Sequence, residues 1–137
     1  MKGYVLDTSV ALALYLPEST SVTARGYWEK VQTTGLRCVV PSLHFLEFAN
    51  ALRTRIRRGL LMEQKARDIF DLHLDAGLEI LEPNPRGLLD FALEFDATVY
   101  DAAYISLTLG TELTLLTAEK ATKPWVARLG ERALSVS

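Results

Sequence analysis

Four acids stand where apolar runs end or where helices begin: Asp7 in Val5-Leu6-Asp7-Thr8-Ser9, Glu47 in Glu47-Phe48-Ala49-Asn50, Asp101 in Val99-Tyr100-Asp101-Ala102, and Glu119 in Leu116-Thr117-Ala118-Glu119. Carboxylates gathered in one place repel one another, and without a counter-charge some of them stay protonated. A divalent cation removes that penalty. Oxygen donors with no His or Cys partner suit Mg²⁺ or Mn²⁺ and not zinc. Held beside a phosphodiester, such ions activate water and stabilise the departing oxygen, and two-metal versions recur among nucleases.

Each acid also has a structural reading. Asp7 occupies a place where Asp, Ser and Thr cap a helix beginning near Ser9. Thr98 to Asp101 has the spacing of a capping box. Glu119 suits a helix start behind Thr117, where the helix dipole favours acids. Glu47 fits a solvated helix position, yet at about 100° per residue it shares one stripe with Asn50, Ala51, Thr54 and Arg58. Much of that stripe is small or polar, which suits a helix facing a wet cleft. Taken jointly, two acids follow predicted strands, and the other two belong to helices returning to the same edge of a sheet.

The elements that must position these acids alternate along the chain. A short apolar run from Tyr4 reads as a strand, followed by a helix over 9–16, a break at Pro17, and a surface helix over 18–30. A strand over 37–40 precedes a long helix over 43–58, entered through Pro41-Ser42 and closed by Gly59. A helix over 63–75, a strand over 78–81 and a helix from Asn84-Pro85 to Phe95 come next. The remaining elements are a helix over 98–109, a strand over 113–116, a short helix over 124–129 and a last strand over 133–136. Strands alternating with helices predict right-handed βαβ units and a parallel sheet of four or five strands. Nearly continuous apolar strands are those buried on both faces, and ligands then collect beyond the strands' carboxyl ends.

At 137 residues, about half of them hydrophobic, the chain has the size of one domain, 1–137, with enough apolar material for a core. A net charge of −2 excludes a global basic field, so any nucleic-acid contact is local. The lone Cys38 lies in an apolar run and predicts a small buried residue in a reduced, cytoplasmic setting. The apolar stretch 10–16 behind Met1-Lys2 is too short to span a bilayer and is preceded by Asp7, so it reads as a core helix and not as a signal or anchor.

With these residues in place, the chain resembles the PIN-domain ribonucleases, especially the VapC-like toxins of prokaryotic toxin–antitoxin pairs. The resemblance runs along essentially the whole chain and rests on Val5-Leu6-Asp7-Thr8-Ser9, Glu47-Phe48-Ala49-Asn50-Ala51-Leu52, Val99-Tyr100-Asp101-Ala102-Ala103-Tyr104 and Leu116-Thr117-Ala118-Glu119. It implies a PIN-like three-layer α/β/α fold and a metal-dependent endoribonuclease using Mg²⁺ or Mn²⁺. By resemblance, Asp7, Glu47 and Asp101 match the metal-binding acids, and Asn50 and Thr117 match frequent polar neighbours. Glu119 stands where the family usually has Asp, and its extra methylene puts full two-metal occupancy in question. A homodimer and a VapB-like antitoxin that masks the groove are implied by resemblance alone.

Arg53, Arg55, Arg57 and Arg58 cluster at the end of the helix carrying Glu47. Basic residues favour helix C-termini in any case, but Arg58 projects on the Glu47 stripe with Arg55 and Arg57 beside it. These three are the candidates for guiding an RNA backbone toward the acids, or for holding an acidic antitoxin tail. Tyr4, Tyr15, Trp28 and Tyr100 form no base-stacking platform and are expected in the core or an interface, with Trp125 in a dimer contact. His44 and His73 are isolated in the sequence and are expected to be packed or at the surface. A phospho-accepting receiver domain would need an acid pair after the first strand and an aspartate after the third. Ser9 breaks the Asp-x-Asp pattern of hydrolases with an aspartate nucleophile. The alternative that survives is a non-catalytic PIN-like module binding RNA or protein.

Overall fold

In the computed structural model, which describes residues 2–137, the first apolar run forms strand β1 (Gly3–Leu6), buried along its whole length. Helices α1 (Thr8–Tyr15) and α2 (Ser21–Thr34) lead to β2 (Arg37–Val40), then α3 (Leu43–Arg57), α4 (Glu63–Leu74) and β3 (Glu79–Ile80). A 3₁₀ turn (Pro85–Gly87) precedes α5 (Leu88–Phe95) and α6 (Val99–Leu109). The chain finishes with β4 (Thr114–Thr117), α7 (Pro124–Leu129), a 3₁₀ turn (Gly130–Arg132) and β5 (Ala133–Ser135). All four strand pairings are parallel, in the order β3-β2-β1-β4-β5.

Strand alternation divides the core into two layers. Tyr4, Leu6, Cys38, Val40 and Leu116 face one way and pack with Val10 and Ala13 of α1, Ala24 of α2, Phe48 and Leu52 of α3, and Ile69 of α4. Val5, Val39 and Leu115 face the other way, against Phe95 of α5, Tyr104 and Ile105 of α6, and Trp125 and Leu129 of α7. Helices on both faces of the sheet make the three layers. Gly3 lets β1 lie close against β2: its φ is 143°, and a Cβ there would lie 2.2 Å from the Arg37 carbonyl oxygen. No helix among the described residues is long and apolar enough to cross a membrane.

Several boundaries differ from the sequence expectation, each for a local reason. The second helix starts at Ser21, not 18, because the Ser21 hydroxyl accepts from the Glu18 N–H and donates to the Leu16 carbonyl, tying residues 16–21 into a turn. Asn84 does cap the next turn, accepting from Arg86 N–H at 3.1 Å, but Pro85 opens a 3₁₀ turn and the α-helix begins only at Leu88. β3 shrinks to two exposed residues at the sheet edge, where Glu79 pairs with Arg37 in a two-pronged contact of 3.0 and 2.6 Å. Trp125, expected at a dimer contact, is only 2% exposed and belongs to the α5–α6–α7 core. Cys38 is buried as expected, and burial pushes its thiol up to about 12.

Candidate active site

The strand order places the site. From β1 the chain winds outward through β2 to β3, then returns to β4 on the other side of β1. The crevice beyond the carboxyl ends of β1 and β4 is therefore the topological switch point, where open α/β sheets bind ligands. Asp7 follows β1 directly and extends its ladder, its N–H donating to the Leu116 carbonyl at 3.0 Å. Thr117 closes β4, with Glu119 two residues beyond it.

Although Asp7 holds the N-cap position of α1, its side chain caps nothing. Instead its Oδ2 accepts from Ser9 Oγ at 2.9 Å and from Thr117 Oγ1 at 2.8 Å. Ser9 Oγ accepts in turn from the Ala118 N–H at 3.0 Å, and Thr117 Oγ1 accepts from the Glu119 N–H at 3.1 Å. The two hydroxyls thus lock the ends of β1 and β4 together and leave Asp7 Oδ1 without a hydrogen-bond partner among the described residues. Burial is the main force on this carboxyl and pushes it up to about 6. The Ser9 and Thr117 hydrogen bonds oppose that rise, while the charges of Asp101 and Glu47 add to it. Those two acids therefore face Asp7 closely enough to destabilise its ionised form.

Glu47, one turn into α3, is half-buried, and its Oε1 is held by two hydroxyls, Tyr104 at 2.8 Å and Thr8 at 3.0 Å. Asp101 lies in the first turn of α6, where Thr98 Oγ1 accepts from its N–H at 3.0 Å, so the capping geometry is real. Burial raises the Asp101 carboxyl above its ordinary range; Thr98 and Lys123 lower it and Glu119 raises it. Glu119 is turned toward Lys123 at 3.3 Å, which partly neutralises the fourth acid. Among the described residues no group of three or more His, Cys, Asp or Glu side chains stands where it could hold a metal ion as placed, so the fit rests on the chemistry of the donors. An all-oxygen donor group with mutually repelling, partly buried charges fits a hard divalent cation, which would relieve that repulsion.

An open cleft of about 650 Å³ runs beside Glu47, lined by Thr8, Leu46, Glu47, Asn50, Ala51 and Tyr100. Asn50 is exposed in it, as the stripe on α3 predicts. Tyr100, expected in the core or an interface, is 64% exposed and forms part of this wall. The arginines divide. Arg55 pairs with Glu18 and lines a hollow with Ser9 and Ala118. Arg57 lines a separate groove between α3 and α4 that touches none of the four acids. Arg58 is exposed and has no ion pair among the described residues. Eleven residues of helix put it about 16 Å from Glu47 along the axis of α3.

The sequence reading missed Thr8, Ser9 and Tyr104 as polar partners of the acids, and it set aside His44 and His73. Both histidines are buried, and His44 Nδ1 lies 3.0 Å from Tyr104 OH and 3.2 Å from Thr8 Oγ1. Burial lowers both imidazoles, His44 to about 3 with help from His73, and His73 to about 4. Both are therefore neutral at pH 7. Only Thr8 and Ser9, directly following Asp7 in sequence, carried a local signal; the others meet across 29 to 96 residues of chain.

Three comparisons with known proteins agree with this fold. The PIN domain family model matches residues 4–123. The chain is 32% identical over 129 residues to Ribonuclease VapC3 of Pyrobaculum aerophilum, covering 87% of this chain and 92% of that protein. The crystal structure of PAE2754, also from Pyrobaculum aerophilum, superposes with a TM-score of 0.74 at 22% identity, covering 98% of this chain and 90% of the other. With the three-layer fold, the acids at the switch point and a match over most of its length, this chain belongs to the PIN domain family.

Proposed function

We propose that the protein is a divalent-metal-dependent endoribonuclease, the toxin of a toxin–antitoxin pair, and that Asp7, Glu47 and Asp101 hold the cation. The observation that carries this reading is the state of Asp7: a carboxyl buried at the switch point, raised to about 6, and pressed by two further acids. Such a group is poorly placed as a structural cap and well placed as a cation ligand. When bound, a divalent cation supplies charge to the phosphoryl oxygens and makes water nucleophilic at neutral pH.

The chain's own residues do the rest. Asp7 offers Oδ1 and Glu47 offers Oε2, each with its other oxygen tied by hydroxyls. Asp101 adds a carboxylate from the start of α6. Glu119 acts at the margin, restrained by Lys123. Asn50 and Tyr100 line the approach, and Arg58 draws the RNA backbone along α3. RNA as substrate, and an antitoxin as partner, are supported by the likeness to Ribonuclease VapC3. A homodimer is supported by exposed apolar side chains, among them Leu46 on α3 and Leu89 and Leu93 on α5, at 75%, 63% and 72% exposure.

The test is cleavage of a mixed-sequence RNA panel with Mg²⁺, with Mn²⁺ and with chelator, beside an Asp7→Asn variant purified identically. Metal-dependent cutting that is lost in the variant is the expected result. Cutting that persists in chelator or in the variant contradicts the proposal. A short reading frame encoding a DNA-binding protein immediately upstream of the gene would support the toxin assignment without an assay.

A further inference from the structure

A buried line of polar groups runs from the candidate site into the α1–α3–α4 layer, and the proposed reaction leaves most of it unused. It begins at Glu47 Oε1, passes through the Thr8 and Tyr104 hydroxyls to His44 Nδ1, continues from His44 Nε2 to His73 Nε2 at 2.8 Å, and ends from His73 Nδ1 at the Tyr15 hydroxyl, 3.1 Å away. His44, His73 and Thr8 are 0%, 1% and 7% exposed, so water does not complete their hydrogen bonding. The two imidazoles do not share a metal. Tetrahedral ligation by two zinc-bound nitrogens would set them about 3.3 Å apart, whereas 2.8 Å is the length of a direct hydrogen bond.

Proton counting gives this line a direction. Glu47 Oε1, Thr8 Oγ1, Tyr104 OH and His44 Nδ1 make five contacts between 2.7 and 3.2 Å. The two hydroxyls bring only two protons to that cluster. If His44 Nδ1 were bare, three of the five contacts would set lone pairs against each other in a dry site, which is costly. A proton on Nδ1 supplies a third donor and lets both hydroxyls turn to the carboxylate, which cuts the unbridged contacts from three to two: Thr8–Tyr104 and one of the two His44 contacts. A neutral His44 is then bare at Nε2 and must accept, so His73 donates from Nε2 and accepts at Nδ1 from Tyr15. Every donor points toward Glu47.

We propose that Tyr15, His73, His44, Thr8 and Tyr104 form a one-way hydrogen-bond chain that fixes Glu47 with Oε1 fully occupied and Oε2 free, so that Glu47 gives a cation one oxygen and never two. Tyr104 and Thr8 are its positioning residues, and the histidines hold those hydroxyls in the donating orientation. The cation-binding part rests on the metal-nuclease reading above; the direction of the chain does not. The arrangement restricts Glu47 to a single rotamer and one coordination mode, which suits a compact, octahedral ion better than one that accepts bidentate carboxylates.

Two measurements test this. In metal-free protein at pH 7, long-range ¹H–¹⁵N correlation spectra report each imidazole tautomer: the chain requires Nδ1–H on His44 and Nε2–H on His73. The opposite pair of tautomers overturns the chain. Calorimetric Mn²⁺ titration then compares wild type with Tyr104→Phe, Thr8→Val and Thr8→Ser, each checked by thermal unfolding. Loss of an outer-shell partner lowers metal affinity by roughly 10–100-fold, so Tyr104→Phe and Thr8→Val should fall in that range while Thr8→Ser, which keeps the hydroxyl, stays near wild type. Wild-type affinity in both Tyr104→Phe and Thr8→Val overturns the positioning role. Wild-type protein that binds no Mn²⁺ overturns the metal reading and the ligand role of Oε2, while the tautomers still decide the chain itself.

Discussion

Replacing Asp7 by asparagine should make the metal-free protein more stable, and the size of the gain should depend on pH in a defined direction. Burial and the nearby Glu47 and Asp101 raise the Asp7 carboxyl from 3.8 to about 6 in the folded protein. Between those two values the unfolded chain releases the proton and the folded chain retains it, so stability falls as pH rises and the full cost is reached above about pH 6. A gap of about two units is worth about 3 kcal/mol. Asparagine keeps an oxygen to accept from Ser9 and Thr117 and turns its amide toward the other acids, without the charge. With an unfolding entropy of about 2.1 cal/mol/K per residue, 3 kcal/mol corresponds to roughly 10 °C in this chain. Thermal unfolding in chelator at pH 8 should therefore show Asp7→Asn melting well above wild type, with the difference shrinking toward zero near pH 4. Protonation of His44 and His73 during unfolding in acid destabilises both proteins equally and cancels from the difference. A variant no more stable than wild type at pH 8, or a difference that does not shrink in acid, would refute the idea that Asp7 is held in a strained ionised state for function.

Neutralising Arg58 should flatten the salt dependence of RNA binding in chelator by about 0.7 in log–log slope, the value for one phosphate contact on a single strand. Arg55→Gln should change it less, because Arg55 is already paired with Glu18; the reverse ranking would move the RNA path off the Glu47 stripe. Trp125→Ala should cost about 3–5 kcal/mol in chemical denaturation without changing the oligomeric state of the folded protein in sedimentation, since the ring is buried among α5, α6 and α7. Loss of a dimer with unchanged subunit stability would instead restore Trp125 to an interface.

What the sequence disclosed, and what it hid, follows from the range of the interactions. Val5-Leu6-Asp7 and Leu115-Leu116-Thr117 announce themselves locally, because a strand buried on both faces is a short apolar run and its end is marked by the first polar residue. Parallel order and the switch point follow from alternation of strands and helices, so the gathering of Asp7, Glu47 and Asp101 could be inferred before any geometry. Trp125 was misplaced because an aromatic residue reads the same whether it lines an interface or fills a core. The hydroxyls and imidazoles that hold Glu47 were illegible for a different reason. Thr8, Tyr15, His44, His73 and Tyr104 come from α1, α3, α4 and α6, and no spacing within one element relates them. Their pairing exists only once three helices on one face of the sheet meet a tyrosine from the other.

The most direct test of the account is a manganese anomalous difference map from crystals equilibrated with Mn²⁺. A single dominant peak is expected at the carboxyl ends of β1 and β4, within coordination distance of one oxygen each from Asp7, Glu47 and Asp101, with Glu47 Oε1 still hydrogen-bonded to Tyr104 and Thr8. A peak elsewhere, or none at saturating Mn²⁺, would contradict the claim that these acids form a metal centre.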